Sequence, residues 1–415
     1  MALRALLSGK RTVVSAACIA ACLVAAVDIA FGVGHPLASI NTVNTDKGES
    51  YNTVVAIKKD MDRGTSAGAV FLLGSSLMVA PALQCEADYR GQAFKRFHDR
   101  RLTSFESYLS EALKRESAAR VAAPKSYLLA VGGEMASDAY ILTKEILPPA
   151  FGKGNAANTC IVYGIAPRDF HDNLFPRVDA SPVFRIFGKL EDLPQLFAAE
   201  PTLSSDEQKS ACVERLSSFY RYRSDWQKLF DIRAKRIIEK CLPFVVFEKY
   251  SESLALKQQK KGLLPGEAIG TPLVVPQIAL DHESVAATQD EYKRRYNPLK
   301  PAKYQTQFSY FERLLSYCQE NKATLLVVNM PLSRDNVALM PQGSYKTYLT
   351  STSQLCEKYG VEFVDLNNAT WNQQTNFVDA VHLEPAVSKS FMQKLATLAA
   401  KSNLAVASGR SAKEI

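Results

Sequence analysis

From Gly68 onward the chain alternates short apolar runs with longer segments whose apolar residues recur at helical spacing. Ala69-Val70-Phe71-Leu72-Leu73 is a continuous apolar run of strand length, closed by Gly74-Ser75-Ser76 and followed by a helical pattern. The same reading predicts strands over 126–131, 159–163, 324–329 and 361–364. It predicts helices near 101–117, 134–147, 303–321, 343–359 and 385–401. Strands that alternate with helices predict an α/β fold: a mainly parallel sheet covered on both faces, a three-layer sandwich. Sheets of this kind place their sites at the carboxyl ends of the strands.

Outside that rhythm the pattern changes. Arg4, Lys10 and Arg11 precede an almost uncharged run from Thr12 to Gly34, long enough for one membrane-spanning helix. The basic residues ahead of it, with no further lysine or arginine until Lys47, predict an inside amino end and an exported body. Asp28 falls near the outer end of the run, where a carboxylate approaches the headgroups. Three readings of residues 1–34 stand open: an uncleaved signal anchor, a cleaved secretory signal, and a lipoprotein signal in which Ile19-Ala20-Ala21-Cys22 acts as the lipobox. Each exports the rest of the chain. Residues 35–65 are polar and turn-rich and read as a linker, 66–403 as the α/β domain, and 404–415 as a flexible tail. Within the domain, 180–300 reads as an insertion able to cap a site, helical to about 250 and loop-rich after it.

Composition adds exclusions. The net charge of +8 comes from 50 basic and 42 acidic residues mixed along the chain, with no basic block interleaved with aromatics. That argues against a nucleic-acid partner. The eight cysteines include no CxxC pair and no histidine at zinc-ligand spacing, so no metal site is expected. Six of them lie beyond the apolar run, and the sequence leaves open whether they pair or stay as buried thiols. His98 and His171 lack a second ligand at suitable spacing. Phe219, Tyr220, Tyr222 and Trp226 read either as helix packing or as a sugar-stacking platform.

The chemistry-bearing residues fall at strand ends. A serine hydroxyl needs a base to remove its proton, a carboxylate to orient that base, and donors for the oxyanion. Gly74-Ser75-Ser76 offers a serine on a tight turn. Phe377-Val378-Asp379-Ala380-Val381-His382-Leu383-Glu384-Pro385 offers a carboxylate and an imidazole three residues apart on one loop before the last helix. Gly132-Gly133 follows one strand, and Gly164-Ile165-Ala166-Pro167-Arg168-Asp169 ends another. Taken singly, each is as well read as a helix cap, a turn or a surface ion pair.

Their order along the chain resembles the SGNH (GDSL-like) hydrolase superfamily. Gly74-Ser75-Ser76 is similar to its Gly-Asp-Ser block, with Ser75 in place of the aspartate. Gly133 stands where the family has its oxyanion glycine, and Asp379 and His382 match the terminal block. The resemblance covers roughly 69–180 and 300–400 and not the insertion. It departs in the third block, usually Gly-x-Asn-Asp, where no asparagine follows Gly164. Arg168 or Asn173 then stands as the substitute donor, or the hole uses backbone alone. The Gly-Ser-Ser form, the apolar amino end and Val327-Val328-Asn329-Met330-Pro331 are similar to membrane-anchored members, among them the teichoic-acid D-alanylation protein and an uncharacterised anchored bacterial family. The resemblance implies a flavodoxin-like fold and an extracytoplasmic serine esterase or acyltransferase using Ser76, His382 and Asp379. It implies no cofactor, an acylated cell-envelope polysaccharide as substrate, and a membrane-bound acyl-donor protein as a possible partner. The atypical third block keeps open a non-catalytic envelope component that binds or helps assemble a glycan.

Overall fold

The computed structural model describes residues 18–19, 22–29, 54, 57–61, 68–91, 100–116, 124–151, 159–174, 177–221, 223–241 and 282–407. In chain order its main elements are β1 (Ala69–Gly74), α1 (Ser76–Arg90), α2 (Thr103–Glu116), β2 (Lys125–Leu128), α3 (Ala136–Ile146) and β3 (Thr159–Ile165). There follow α4 (Ser205–Leu216), α5 (Arg223–Cys241), α6 (His282–Tyr296), α7 (Pro301–Glu320), β4 (Thr324–Asn329), α8 (Ser344–Lys358), β5 (Glu362–Asp365) and α9 (Pro385–Ala407). The chain clusters into two units, one of 1–45 with 188–257 and one of 46–187 with 258–415.

The second unit holds a five-stranded sheet in the order β2-β1-β3-β4-β5, with every neighbouring pair parallel. Every residue of β1 and β3 is buried, as expected for strands covered on both faces. Val70, Leu72, Cys160, Val162, Leu326 and Val328 join a core with apolar residues of α1, α2 and α9. The alternate residues turn the other way: Tyr163 meets Phe311 of α7 at 6.2 Å between ring centroids, and Tyr140 of α3 meets Tyr310 of α7 at 5.9 Å.

The chain runs from β1 out to β2 and returns on the other side of β1 to form β3. That reversal leaves a crevice at the carboxyl ends of β1 and β3. Gly74 pairs with Gly164 there. At Gly74 φ is +139°, and a Cβ would stand 2.6 Å from the Gly164 carbonyl oxygen, so both the turn and the close approach require glycine.

Several boundaries differ from the sequence reading. β2 ends at Leu128, yet 129–131 stays extended because Leu129 and Ala130 donate to the Leu72 carbonyl and Val131 to that of Gly74. Part of the stretch read as a linker is folded: Val54, Ile57 and Met61 are buried, and Asp60 accepts a 2.5 Å hydrogen bond from Tyr127. The loop-rich reading of 255–300 fails over 282–296, which is helix α6; 242–281 lies outside the described residues. Helix α9 continues to Ala407, into the stretch read as tail, and 408–415 lies outside the described residues. Of the apolar run 12–34, residues 18–19 and 22–29 are helical and the remainder lies outside the described residues. Among the described residues no helix is long and apolar enough to cross a membrane.

All eight cysteines are unpaired. Burial pushes the thiols of Cys85, Cys160, Cys318 and Cys356 up to about 12, which keeps them protonated and inert.

Candidate active site at the carboxyl edge of the sheet

Ser76 is the first residue of α1, one step beyond the N-cap Ser75. Met78 and Val79 both donate to the Ser75 carbonyl, which starts the helix and leaves the Ser76 N–H among the helix-end donors without an intrahelical acceptor. Ser76 is half-buried, whereas Ser75 beside it is buried and its hydroxyl has no hydrogen-bond partner among the described residues.

The second half of the site is built by a local fold of the loop before α9. Phe377, Ala380, Val381 and Leu383 are buried, so the loop is held by its apolar residues and its polar ones stand at the rim. Phe377 and Leu383 pair in an antiparallel bridge, Val378 donates to the His382 carbonyl at 2.9 Å, and Ser333 Oγ donates to the Ala380 carbonyl at 3.0 Å. Asp379 Oδ1 accepts the backbone N–H groups of Val381 and His382, both at 2.8 Å, a side-chain turn that fixes the carboxylate. Pro385 then opens α9, where its missing N–H costs nothing.

These two halves meet. His382 Nδ1 lies 2.7 Å from Asp379 Oδ2, and His382 Nε2 lies 2.9 Å from Ser76 Oγ across 306 residues of chain. Burial opposes the charge on Asp379, but the hydrogen bonds from the His382 ring and from the two backbone N–H groups outweigh it and hold the carboxyl below its ordinary value of 3.8. An ionised carboxylate only accepts, so the Nδ1 proton points at Asp379 and the Nε2 lone pair faces the serine hydroxyl. The His382 and Asp379 side chains keep 27% and 23% of their exposure, which leaves the relay open to solvent.

Gly133 sits in the turn after 129–131 with φ at +80°, half-buried beside the exposed Gly132. The residue that follows them was not singled out in the sequence. Glu134 is buried, and its carboxyl accepts the N–H groups of Val131, at 3.1 Å, and of Gly74. It therefore ties the serine turn to the Gly132-Gly133 turn. Burial first, and then the neighbouring Asp138 and Asp169, push its pKa well above the ordinary value. Its place directly after Gly132-Gly133 is the signal that marks it.

The third block is engaged elsewhere. Asp169 Oδ2 accepts the Ala166 N–H at 2.8 Å and closes the turn after β3. Burial raises the Asp169 carboxyl to about 6, with Arg168 opposing the shift. Arg168 is buried and directs its guanidinium to the Glu134 carbonyl at 3.4 Å, to Asp169 at 3.4 Å and to Asp172 at 3.6 Å. Arg295 of α6 also pairs with Asp172. Asn173 Nδ2 donates to the carbonyls of Pro298, at 2.8 Å, and Arg294, at 3.4 Å. Asn173 and the Arg295–Asp172 pair thus hold α6 and its exit against the third block, while Arg168 is engaged with Glu134, Asp169 and Asp172.

His171 is buried and accepts the Lys300 N–H at 3.5 Å, so it supports the same junction; burial lowers its pKa. Tyr292 and Tyr296 of α6 join the core that contains Phe377, Ala380 and Val381. His98 and the side chains of Tyr222 and Trp226 lie outside the described residues, while Tyr220 carries the Arg223 guanidinium 4.0 Å over its ring. Among the described residues no group of histidine, cysteine, aspartate or glutamate has a metal-binding arrangement. No protein-family model matches this chain, and no curated protein matches it in sequence.

Proposed function

We propose that the chain is an extracytoplasmic serine esterase or O-acyltransferase of the SGNH type, with Ser76 as nucleophile, His382 as base and Asp379 as orienting carboxylate. One observation carries the reading: the hydrogen-bonded line from Asp379 through both nitrogens of His382 to Ser76, half-exposed at the switch point of a parallel sheet. The flavodoxin-like sandwich is part of the same proposal and rests on the strand order.

Ser76 Oγ attacks the carbonyl carbon of an ester while His382 Nε2 takes its proton, and Asp379 stabilises the imidazolium. The N–H groups of Ser76 and Gly133 are the candidate oxyanion donors, each worth about 3 kcal/mol in sites of this type. Collapse of the tetrahedral adduct expels an alkoxide, which takes the proton back from His382. The acyl-serine then passes to water or to a hydroxyl of an envelope glycan. The resemblance to anchored SGNH proteins supports the glycan substrate and the membrane tether, with residues 1–34 as the anchor and an acyl-donor protein as partner.

A second reading, a non-catalytic glycan-binding component, is favoured by one feature: Arg168 is engaged with Glu134, Asp169 and Asp172, and Asn173 with α6 and its exit. The two readings part on acylation. Incubated with an activated acetyl ester, the wild-type protein should gain one acetyl group by intact mass, and Ser76→Ala should gain none. Equal acylation of both proteins, or none of either, removes the enzymatic reading.

A further inference from the structure

The first unit, 1–45 with 188–257, differs from the second in what it shows to solvent. Among the described residues most of the exposed large apolar side chains belong to it; outside it they are Tyr89, Leu174 and Leu299. Residues 22–27 and Ile29 are exposed on their helix, Leu23 at 62% and Val24 at 69%. A helix whose apolar side chains are exposed over most of its circumference, with Asp28 half-buried among them, has hydrocarbon as its compatible surroundings.

Helix α5 belongs to the same unit and carries an exposed apolar stripe. Phe230, Ala234, Ile237, Ile238 and Cys241 recur at helical spacing within a single stripe, and all are exposed. Lys235 and Lys240 are also exposed and fall on either side of that stripe, Lys235 in an exposed ion pair with Asp231 at 2.6 Å. Across its 19 residues the helix carries six lysines and arginines against three acidic residues. A contact within the unit ties the approach to α5 to the apolar run. Asp28, near the outer end of the apolar run, accepts the Ser217 hydroxyl at 2.9 Å and the Phe219 N–H at 2.8 Å, just before α5 begins.

We infer that α5 is an interfacial helix that lies in the outer headgroup layer of the bilayer, its Phe230-Ile237-Ile238 stripe among the acyl chains and its lysines among the phosphates. A basic helix with a narrow apolar face has this preference. Lysine stems lie along apolar surface while their ammonium groups reach the lipid phosphates. The hydrogen bonds at Asp28 bring the start of α5 to the level at which the apolar run leaves the membrane. The inference rests on the membrane tether proposed above for residues 1–34 and is independent of the chemistry proposed for Ser76.

The test uses the full chain reconstituted in vesicles of phosphatidylcholine and phosphatidylglycerol. A photo-crosslinking phenylalanine analogue is introduced at Phe230, at Ile238 or, as reference, at Tyr89. Irradiation is expected to add the mass of one phospholipid at Phe230 and Ile238 and none at Tyr89. Lys235→Glu combined with Lys240→Glu should reduce the lipid adduct at Phe230. A covalent dimer in place of the lipid adduct would make the stripe a contact between copies of the chain and overturn the inference. Attachment confined to the same chain, or no adduct at all, would overturn it equally. Acetylation of Ser76 in the same samples reports the active site separately.

Discussion

Asp379 and the trio Glu134, Asp138 and Asp169 are the same functional group in two settings. Asp379 stands at the rim, partly exposed, with an imidazole and two backbone N–H groups aimed at its oxygens, and its pKa is lowered. The trio is fully buried, and burial raises every member, Asp138 and Asp169 to about 6. Asp138 accepts the Ser181 hydroxyl at 2.7 Å and the Met135 N–H at 3.1 Å, and Asp169 and Glu134 likewise accept backbone N–H groups. Hydrogen bonds are present in both settings; at Asp379 those from the His382 ring and two N–H groups outweigh a partial burial, whereas complete burial outweighs them in the trio. Where water reaches, the charge survives and can hold an imidazolium. Where it does not, the carboxyl serves to join loops.

The sharpest way to break this contrast is to remove the rim charge. Asp379→Asn should lower the rate of Ser76 acylation by about 10⁴ while the protein stays folded, because an amide no longer selects the productive tautomer. A loss below about tenfold would show that Asp379 only supports the loop. Arg168→Met comes next: it strands Asp169 and part of the Asp172 charge, and should cost about 3–5 kcal/mol in denaturant unfolding. Gly74→Ala should cost about 2–4 kcal/mol, since the new Cβ meets the Gly164 carbonyl and the φ is unfavourable.

The smallest effects carry opposite signs with pH. Glu134→Gln keeps an acceptor for Val131 and Gly74 and should change stability by about 1 kcal/mol or less near pH 4. The wild-type carboxyl has a raised folded pKa, so the folded state loses stability as pH climbs through that range, and the glutamine variant should gain on it with rising pH. Asp379 behaves in reverse. Its depressed pKa contributes stability above 3.8 that disappears as pH falls through the folded value, so the gap between wild type and Asp379→Asn should close in acid. Thermal unfolding followed against pH reads both slopes.

The parts of this arrangement that were legible in the sequence are those set locally. Strand β1 and its glycine turn announce themselves by an unbroken apolar run and a residue type that permits the turn. The pairing of Asp379 with His382 follows from three-residue spacing on one loop. Helix α6 was hidden, because its residues are mostly polar and it is anchored through Tyr292 and Tyr296, a pair too sparse to show a helical stripe. For the same reason Asn173 reads as a donor to a ligand: the carbonyls that occupy it lie at a helix and its exit over a hundred residues further on, whereas Arg168 is taken up by Glu134, Asp169 and Asp172. Glu134 was passed over because a buried acid between two strand ends leaves no periodic trace.

The central claim is that Ser76 is activated by His382. Its most direct measurement is the reaction of the full chain with a serine-directed fluorophosphonate, with the modified residue located by peptide mass. The account predicts a single adduct, on Ser76, lost in Ser76→Ala and in His382→Ala while both variants keep the wild-type unfolding transition. Undiminished labelling in either variant, or an adduct on another residue, would contradict it.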